Sequence, residues 1–234
     1  MVIKLGIEIE IACKKTDATD RVLYTLGNWS VKGDGSIKCK HSLNGRSNYN
    51  ICNECAEKGI KQYEFLTNEK PYTVNLRDIN ATVEKIAGDV AQIFATLQHI
   101  DINRSQGIHF HFSGIKKYAV VFSKEFFNAV KEKYLAICTT ETERERVTNY
   151  YCNFIYSPRD SDRYRAINII DAFNRHGTFE FRFFASTDKS DVLKRYIRFV
   201  LDILKEVKET QYDPLKYALN ADASKETKSI NLLV

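Results

Sequence analysis

The stretch IKLGIEIEIA at residues 3–12 decides the fold, because hydrophobic and polar residues alternate along its whole length. Isoleucine or leucine stands at every odd position from 3 to 11, and charged residues or glycine stand at the even positions between them. Successive side chains of a β-strand point to opposite faces of the sheet, so this period of two predicts a half-buried strand. We therefore expect a sheet with one apolar face and one polar face.

Four further segments of the sequence predict strands, and long helical patterns separate them. The strand segments are residues 62–66, 108–112, 165–170 and 178–184, and the turn-forming sequence Asn174-Arg175-His176-Gly177 joins the last two. Helices are predicted over residues 76–97, from Ser123 onward, over 140–156 and over 191–207. Strands at both ends of the chain with helices between them predict an α+β fold, in which helices cover one face of an antiparallel sheet.

Composition places the chain among globular proteins. It has 234 residues, of which 44% are hydrophobic, and a net charge of +5. A chain of this size buries about 70% of its unfolded surface, which excludes a disordered protein, and a dedicated binder of duplex DNA would usually be more basic. No apolar stretch approaches the roughly 20 residues that cross a bilayer, and Met1 leads into the first strand without a signal-peptide pattern. These features predict a cytoplasmic protein with no membrane partner.

Charged pairs recur on the polar face of the predicted strands. Residues two apart in a strand share a face, and this spacing separates Glu8 from Glu10, His109 from His111, Glu180 from Arg182 and Arg163 from Arg165. Carboxylates and imidazoles together favour divalent cations such as Mg²⁺ or Mn²⁺, and arginines pair with phosphate oxygens. The pattern predicts a metal and nucleotide site. The alternative is a solvated face whose charged residues form cross-strand ion pairs.

The order of these motifs resembles the amidoligase family, within the glutamine-synthetase-like carboxylate-amine ligase superfamily. The resemblance covers about residues 1–205 and rests on the series Gly6-Ile7-Glu8-Ile9-Glu10, Trp29 with Lys32, Asp34-Gly35-Ser36, Glu64, His109-x-His111, Arg165 with Asn168, and Phe179-Glu180-Phe181-Arg182. It implies a curved antiparallel sheet that forms half a barrel, with helices on the convex face and ATP held by divalent ions on the concave face. It also implies a reaction in which a carboxylate takes the γ-phosphoryl group of ATP to form an acyl phosphate. An amine then attacks this acyl phosphate.

The resemblance assigns a role to each polar position. It implies metal ligands at Glu8, Glu10, Glu64, His109 and Glu180. It implies that Arg182 and Arg165 neutralise phosphate charge during catalysis, and the remaining positions Lys32, Arg163, Asn168 and His111 are assigned to nucleotide binding. For His111 the alternative is a core histidine that a backbone carbonyl satisfies.

Asp34 lies between two glycines in the sequence Gly33-Asp34-Gly35-Ser36. A functional interpretation makes it a catalytic carboxylate that positions or deprotonates the attacking amine. The alternative is ordinary turn chemistry, which favours Asp beside glycine.

A cysteine-rich insertion lies between residues 37 and 60. Cys39-x-His41 and Cys52-x-x-Cys55 supply the four nitrogen and sulfur ligands of a tetrahedral zinc site, with accidental clustering or a redox pair as alternatives. The zinc would be structural, because the segment has almost no apolar residues of its own. The sequence thus predicts an amidoligase-like catalytic domain over residues 1–210, a zinc knuckle inserted at 37–60, and a C-terminal tail over 211–234.

The predicted function is an ATP-dependent carboxylate-amine ligase that releases ADP and phosphate. Two alternatives are a two-metal phosphoesterase or nuclease, and a zinc-ribbon binding module without catalysis. The predicted cofactors are ATP, Mg²⁺ or Mn²⁺, and structural Zn²⁺. The expected partners are a carboxylate and an amine carried by a small molecule, a peptide or a modified nucleobase. Nucleic acid stays open as a partner, and the sequence does not define the oligomeric state.

Overall fold

The computed structural model describes residues 2–43, 50–67, 70–114, 124–149, 152–155, 164–169, 172, 174–175 and 177–211. Its elements are β1 (Lys4–Lys14), α1 (Asp17–Leu26), β2 (Ser30–Gly33), α2 (Lys40–Leu43), α3 (Asn53–Glu57), β3 (Lys61–Leu66), β4 (Tyr72–Thr73), α4 (Ile79–Phe94), β5 (Gln98–Asp101), β6 (Gly107–Ser113), α5 (Lys124–Ile137), α6 (Glu141–Glu145), a 3₁₀ helix (Arg146–Thr148), β7 (Ile167–Asn168), β8 (Phe179–Ala185) and α7 (Ser190–Gln211). The predicted helix start at Ser123, the predicted site residue Arg163 and almost all of the predicted tail lie outside the described residues.

The strands in the described part of the chain form one antiparallel sheet around β1. The strand order is β2-β3-β1-β6-β8-β7, and β4 and β5 pair with the two ends of β1. The sheet is open, with β2 and β7 as its edges. The alternating pattern of residues 3–12 thus produces the central strand, as its unbroken row of Ile and Leu side chains requires.

Helices α4, α5 and α7 cover one face of this sheet. The side chains of Ile7, Phe110 and Phe181 are completely buried on that face, in one hydrophobic cluster with residues of all three helices. Aromatic rings form the part of the cluster under β8, where the ring of Phe184 lies 5.3 Å from that of Tyr134 in an edge-to-face arrangement. The predicted antiparallel sheet with helices on one face is confirmed. These three helices do not cover its polar face.

Most predicted elements have counterparts in the structure. Strands at 3–12, 62–66, 108–112 and 178–184 correspond to β1, β3, β6 and β8, and the helices at 76–97 and 191–207 correspond to α4 and α7. The strand predicted at 165–170 is shorter, because β7 contains only two residues, although it does pair with β8. Among the helices that the structure describes, none combines the length and the apolar content needed to cross a membrane.

The helix predicted over residues 140–156 is shorter in the structure. The capping box of Thr140 and Glu143 starts α6 at the predicted place, but the helix ends at Glu145 and is followed by the short 3₁₀ helix. Asn153 then forms an isolated bridge with Arg165. Tertiary contacts outweigh helical propensity here, because this path allows Arg146 to donate hydrogen bonds to backbone carbonyls of the sheet region.

Glu143 anchors α6 to the rest of the domain. Its buried carboxylate accepts hydrogen bonds from the amides of Thr139 and Thr140, both at 2.8 Å, and from the hydroxyl of Tyr196 in α7 at 2.8 Å. Burial alone would raise the pKa of Glu143, but these hydrogen bonds lower it to about 2. The carboxylate therefore stays charged and fixes the start of the 3₁₀ helix relative to α7.

Candidate functional site

The strand registers bring the predicted polar residues together on the uncovered face. Residues directly opposite each other in an antiparallel pair share a face of the sheet. Glu8 stands opposite His109, and Glu10 stands opposite Glu64. Further along the face, Glu180 in β8 stands between His111 in β6 and Asn168 in β7, and Lys32 in β2 stands opposite Glu64.

Glu8, Glu10 and His109 form a group that could hold a metal ion. One ligand atom from each lies within 4.8 Å of the others. Nδ1 of His109 donates a hydrogen bond to Oε1 of Glu8 at 2.6 Å, and its Nε2 lies 3.8 Å from Oε1 of Glu10. A carboxylate on Nδ1 favours the tautomer in which Nε2 is free to bind a metal. Two carboxylates and an imidazole fit a divalent cation such as Mg²⁺ or Mn²⁺.

The electrostatics of the two carboxylates also fit a bound cation. Burial alone would raise the pKa of Glu8, but the charge and the hydrogen bonds of His109 and His111 hold it well below its usual value. Burial raises the pKa of Glu10, and the charge of His109 offsets only part of this rise while Glu8 adds to it. The site therefore holds two close carboxylates that repel each other, and a divalent cation would remove that repulsion.

Glu180 belongs to a second polar group that adjoins the first. Oε1 of Glu180 lies 2.7 Å from Nη1 of Arg182, and its Oε2 accepts a hydrogen bond from Asn168 at 2.9 Å. Burial opposes ionisation, but the positive charge of Arg182 lowers the pKa of Glu180 below its usual value. Nε2 of His111 lies 3.6 Å from carboxylate oxygens of both Glu8 and Glu180. These acids outweigh the effect of burial and raise the pKa of His111.

Two cavities open on this face of the sheet. The first cavity has a volume of about 580 Å³ and lies over Glu10 and His109, whereas the second has about 450 Å³ and lies over His111 and Glu180. Both volumes are in the range of small-molecule sites. Four residues line both cavities: Glu8, Lys32, Glu64 and Arg182. Nζ of Lys32 lies 2.5 Å from Oε2 of Glu64 on their common wall. Glu8 of the candidate metal group thus lines both cavities, whereas Glu10 and His109 line the first.

The other predicted site residues lie at different distances from this group. Asp34 lines the first cavity, and its Oδ1 accepts hydrogen bonds from the amide and the hydroxyl of Ser36 at 2.9 and 2.7 Å. It therefore forms a turn and faces the cavity as well. Nη1 of Arg165 donates to Asn153 at 2.8 Å, and Arg165 is not among the described residues that line the two cavities.

The structure also brings residues to the first cavity for which the sequence assigns no role. They include Lys38, Arg104, Arg146 and Tyr164. Arg146 is the most deeply buried of them, with 3% of its surface exposed. No alternation or spacing signals this residue, because its guanidinium reaches the sheet from the 3₁₀ helix rather than from a strand.

Three of the cysteines form a cluster that could hold a metal ion such as zinc. Sγ atoms of Cys39, Cys52 and Cys55 lie within 4.8 Å of one another. Nδ1 of His41 lies 3.5 Å from Sγ of Cys52 and 3.8 Å from Sγ of Cys55. The three thiols could therefore hold a metal ion such as Zn²⁺, and His41 lies beside them. Burial would raise the pKa of the Cys39 thiol, but hydrogen bonds from Ser42 and from the amide of Cys52 lower it to about 7.

Hydrogen bonds attach this cluster to the wall of the first cavity. The backbone carbonyl of Lys38 accepts from the side chain of Asn103 at 2.9 Å, and the amide of Lys38 donates to the hydroxyl of Ser105 at 3.2 Å. The amide of Lys40 donates to the carboxylate of Asp101 at 2.7 Å. The segment that carries the cysteine cluster therefore contacts the end of β5 and the connection from β5 to β6, and Lys38 is part of the cavity wall.

Comparison with known proteins identifies one family. A sequence model of the family described as "Putative amidoligase enzyme" matches residues 110–204, from the middle of β6 through β7 and β8 into α7. The matched segment includes His111, Asn168, Glu180 and Arg182. No curated protein and no solved structure matches the chain. Over residues 110–204 the match confirms the predicted resemblance to the amidoligase family, and it indicates an enzyme of the ligase type.

Proposed function

We propose that this chain is an ATP-dependent carboxylate-amine ligase that forms an amide through an acyl phosphate and releases ADP and phosphate. The observation that carries the proposal is the Glu8, Glu10 and His109 group, which lines the first cavity and shares Glu8 with the second, in walls that also carry arginine and lysine. The amidoligase match supports the same reaction class. The proposal includes a glutamine-synthetase-like curvature of the sheet, with the polar face on its concave side.

The residues of the site divide into metal ligands and phosphate-binding groups. Glu8, Glu10 and His109 would hold Mg²⁺ or Mn²⁺, with Glu64 and Glu180 beside them. The bound ion would screen the charge of the phosphates and polarise the phosphoryl oxygens. Glu64 and Glu180 are each paired with a cation, Lys32 and Arg182, that also lines both cavities. These two cations are therefore placed for the phosphate oxygens of ATP.

The reaction has two steps in this proposal. A carboxylate oxygen of the substrate attacks the γ-phosphorus of ATP, the bond to ADP breaks, and ADP leaves. The nitrogen of an amine then attacks the acyl carbon, phosphate leaves, and the amine loses a proton. Arg182 stabilises charge in the first step, and Arg165 assists if it turns away from Asn153. Asp34 accepts the amine proton through Oδ2, because both hydrogen bonds from Ser36 are made to Oδ1.

In this proposal the reactants reach the candidate metal group through separate cavities. The candidate substrates are a carboxylate and an amine on a small molecule, a peptide or a modified nucleobase. A ligase must keep water from the acyl phosphate until the amine arrives. We propose that the segment around Asp34 and the cysteine cluster closes over the first cavity, since it already forms part of its wall.

Trapping with hydroxylamine tests this function without knowledge of the natural amine. With ATP, Mg²⁺ and a panel of carboxylates, we expect hydroxylamine to yield a hydroxamate together with ADP and phosphate. Without any amine, phosphate release should stay slow. Release of AMP and pyrophosphate would contradict an acyl phosphate. Degradation of a nucleic acid or phosphodiester without any nucleotide would instead support the two-metal phosphoesterase.

A further inference from the structure

The structure places a buried arginine in the first cavity. Arg146 is only 3% exposed, and its Nε has no hydrogen-bond partner. Nη2 donates to the backbone carbonyl of Arg182 at 3.0 Å, and Nη1 donates to the carbonyl of Arg104 at 3.5 Å. Within the described part of the chain, Arg146 forms no ion pair with a carboxylate. Arg146 interacts with the charge of Glu10 but forms no close ion pair with a described residue, and an anionic ligand on its Nε–H group would offset the cost of burying the guanidinium.

Gly107 makes room for this guanidinium. A Cβ atom at position 107 would lie 2.3 Å from Nη2 of Arg146 and 3.2 Å from its Cζ. The φ of Gly107 is not positive, so the backbone itself does not require glycine at this position. The close approach of the arginine does require it. The same residue donates its amide to Glu10 at 2.7 Å, and so connects the arginine to the candidate metal group.

The other charges of the first cavity are arranged differently. Arg182 is paired with Glu180, and Lys32 is paired with Glu64, so each of these cations has a counter-ion within the sheet. Glu8 and Glu10 are the candidate metal ligands, and Glu8 also binds His109. A divalent cation on these carboxylates would leave Arg146 as a fixed positive charge next to it. An oxyanion that bridges the two is the ligand that this arrangement favours.

We propose that Arg146 is an oxyanion-binding residue of the first cavity, which holds a phosphoryl group beside the Glu8, Glu10 and His109 group together with Arg182. The planar guanidinium offers paired donors to such a group, and Gly107 admits it to the cavity. The identity of the phosphoryl group, the terminal phosphate of a nucleotide, rests on the proposed function. The existence of an oxyanion site at Arg146 does not.

This inference is tested by calorimetry, which measures the affinity of the protein for inorganic pyrophosphate in the presence of Mg²⁺. Loss of a hydrogen bond to a charged group weakens binding by roughly 10- to 100-fold, and we expect this loss in Arg146→Gln and Gly107→Ala. Arg146→Lys should give an intermediate loss, because an ammonium cannot reproduce the paired donors. Two matched controls should stay within about two-fold of the unaltered protein. Arg144→Gln alters an exposed arginine two residues away, and Gly88→Ala adds a methyl group where no atom lies within 4 Å.

Gly107→Ala removes no charge and no hydrogen-bonding group, but its Cβ atom would also lie 3.2 Å from Nε2 of His109, so Arg146→Gln is the deciding variant. Circular dichroism and melting temperature verify that each variant folds. In the unaltered protein, the NMR resonance of the Arg146 Nε–H group should shift on addition of pyrophosphate and Mg²⁺, which needs no variant at all. Pyrophosphate affinity within two-fold in folded Arg146→Gln would overturn the proposal, and so would an unshifted Nε–H resonance. Repetition with succinate separates a phosphoryl site from a carboxylate site, and a loss seen only with succinate would overturn the phosphoryl assignment.

These outcomes are separate from those of the ligase assay. A protein that forms hydroxamate while its Arg146 variants bind pyrophosphate normally would be a ligase without this oxyanion site. A protein that forms no hydroxamate but loses pyrophosphate affinity in Arg146→Gln would have the oxyanion site and a different reaction.

Discussion

Replacing Glu10 with glutamine should abolish the Mg²⁺-dependent binding of ATP and leave the fold of the free protein intact. Glu10 offers one of the three candidate metal ligands, and an amide is a much poorer ligand for Mg²⁺ than a carboxylate. The amide oxygen can still accept the hydrogen bond from Gly107. Burial raises the pKa of Glu10, which means that the ionised carboxylate destabilises the free protein. Glutamine has no charge and removes this destabilisation. We expect an unchanged or higher melting temperature without ligand.

The measurement is the shift in melting temperature on addition of ATP and Mg²⁺. A ligand at 100 times its dissociation constant stabilises a protein by about 2.7 kcal/mol, and this stabilisation should disappear in Glu10→Gln. The matched control is Glu84→Gln, which alters an exposed carboxylate of α4 that pairs with Lys194 outside the site. That control should keep the full shift. A full shift in Glu10→Gln would remove Glu10 from the site.

Zinc should be bound at about one ion per chain, and Cys55→Ser should release it and loosen the cysteine-rich segment. Helices α2 and α3 have four and five residues, too short to be stable alone, and the apolar cluster around the cysteines is small. The metal therefore supplies much of the free energy that orders this segment. We expect trypsin to cleave after Lys38, Lys40 or Lys58 at least about 10-fold faster in Cys55→Ser, with the sheet still protected from hydrogen exchange.

The matched control for this substitution is Cys138→Ser, which alters another buried cysteine outside the cluster. It should keep its zinc and its resistance to trypsin. Elemental analysis that finds no zinc in the native protein would contradict the prediction. Free reaction of Cys39, Cys52 and Cys55 with a thiol reagent in the native state would contradict it as well.

Strands β1, β3, β6, β7 and β8 were predictable because they show local patterns in the sequence, whereas the short strands β2, β4 and β5 were not predicted. Residues 3–12 alternate without interruption, so their assignment to a half-buried strand depends on no distant contact. The early end of the helix predicted over residues 140–156 has a different origin. Their local propensity favours a helix, but the hydrogen bonds of Arg146 to Arg104 and Arg182 come from parts of the chain that are distant in sequence. Such tertiary contacts produce no periodic pattern in the sequence.

Some residues of the candidate site could likewise be predicted from local patterns, and others could not. Within their strands, Glu8 and Glu10, His109 and His111, and Glu180 and Arg182 are each two residues apart and so share a face, and the registers then bring these pairs next to each other. Arg146 and Gly107 could not be recognised, because the importance of each depends on contact with the other. Asp34 was predicted as a catalytic carboxylate with a turn residue as the alternative, and the structure shows that it forms the turn and lines the first cavity.

The most direct test of the central claim is a crystal structure with Mn²⁺ and a non-hydrolysable ATP analogue, in which anomalous scattering locates the metal. We predict manganese bound by Glu8, Glu10 and His109, with the terminal phosphate of the analogue between this metal and Arg182. Nucleotide bound away from the polar face of the sheet, or manganese absent from these three residues while nucleotide is bound, would contradict the account.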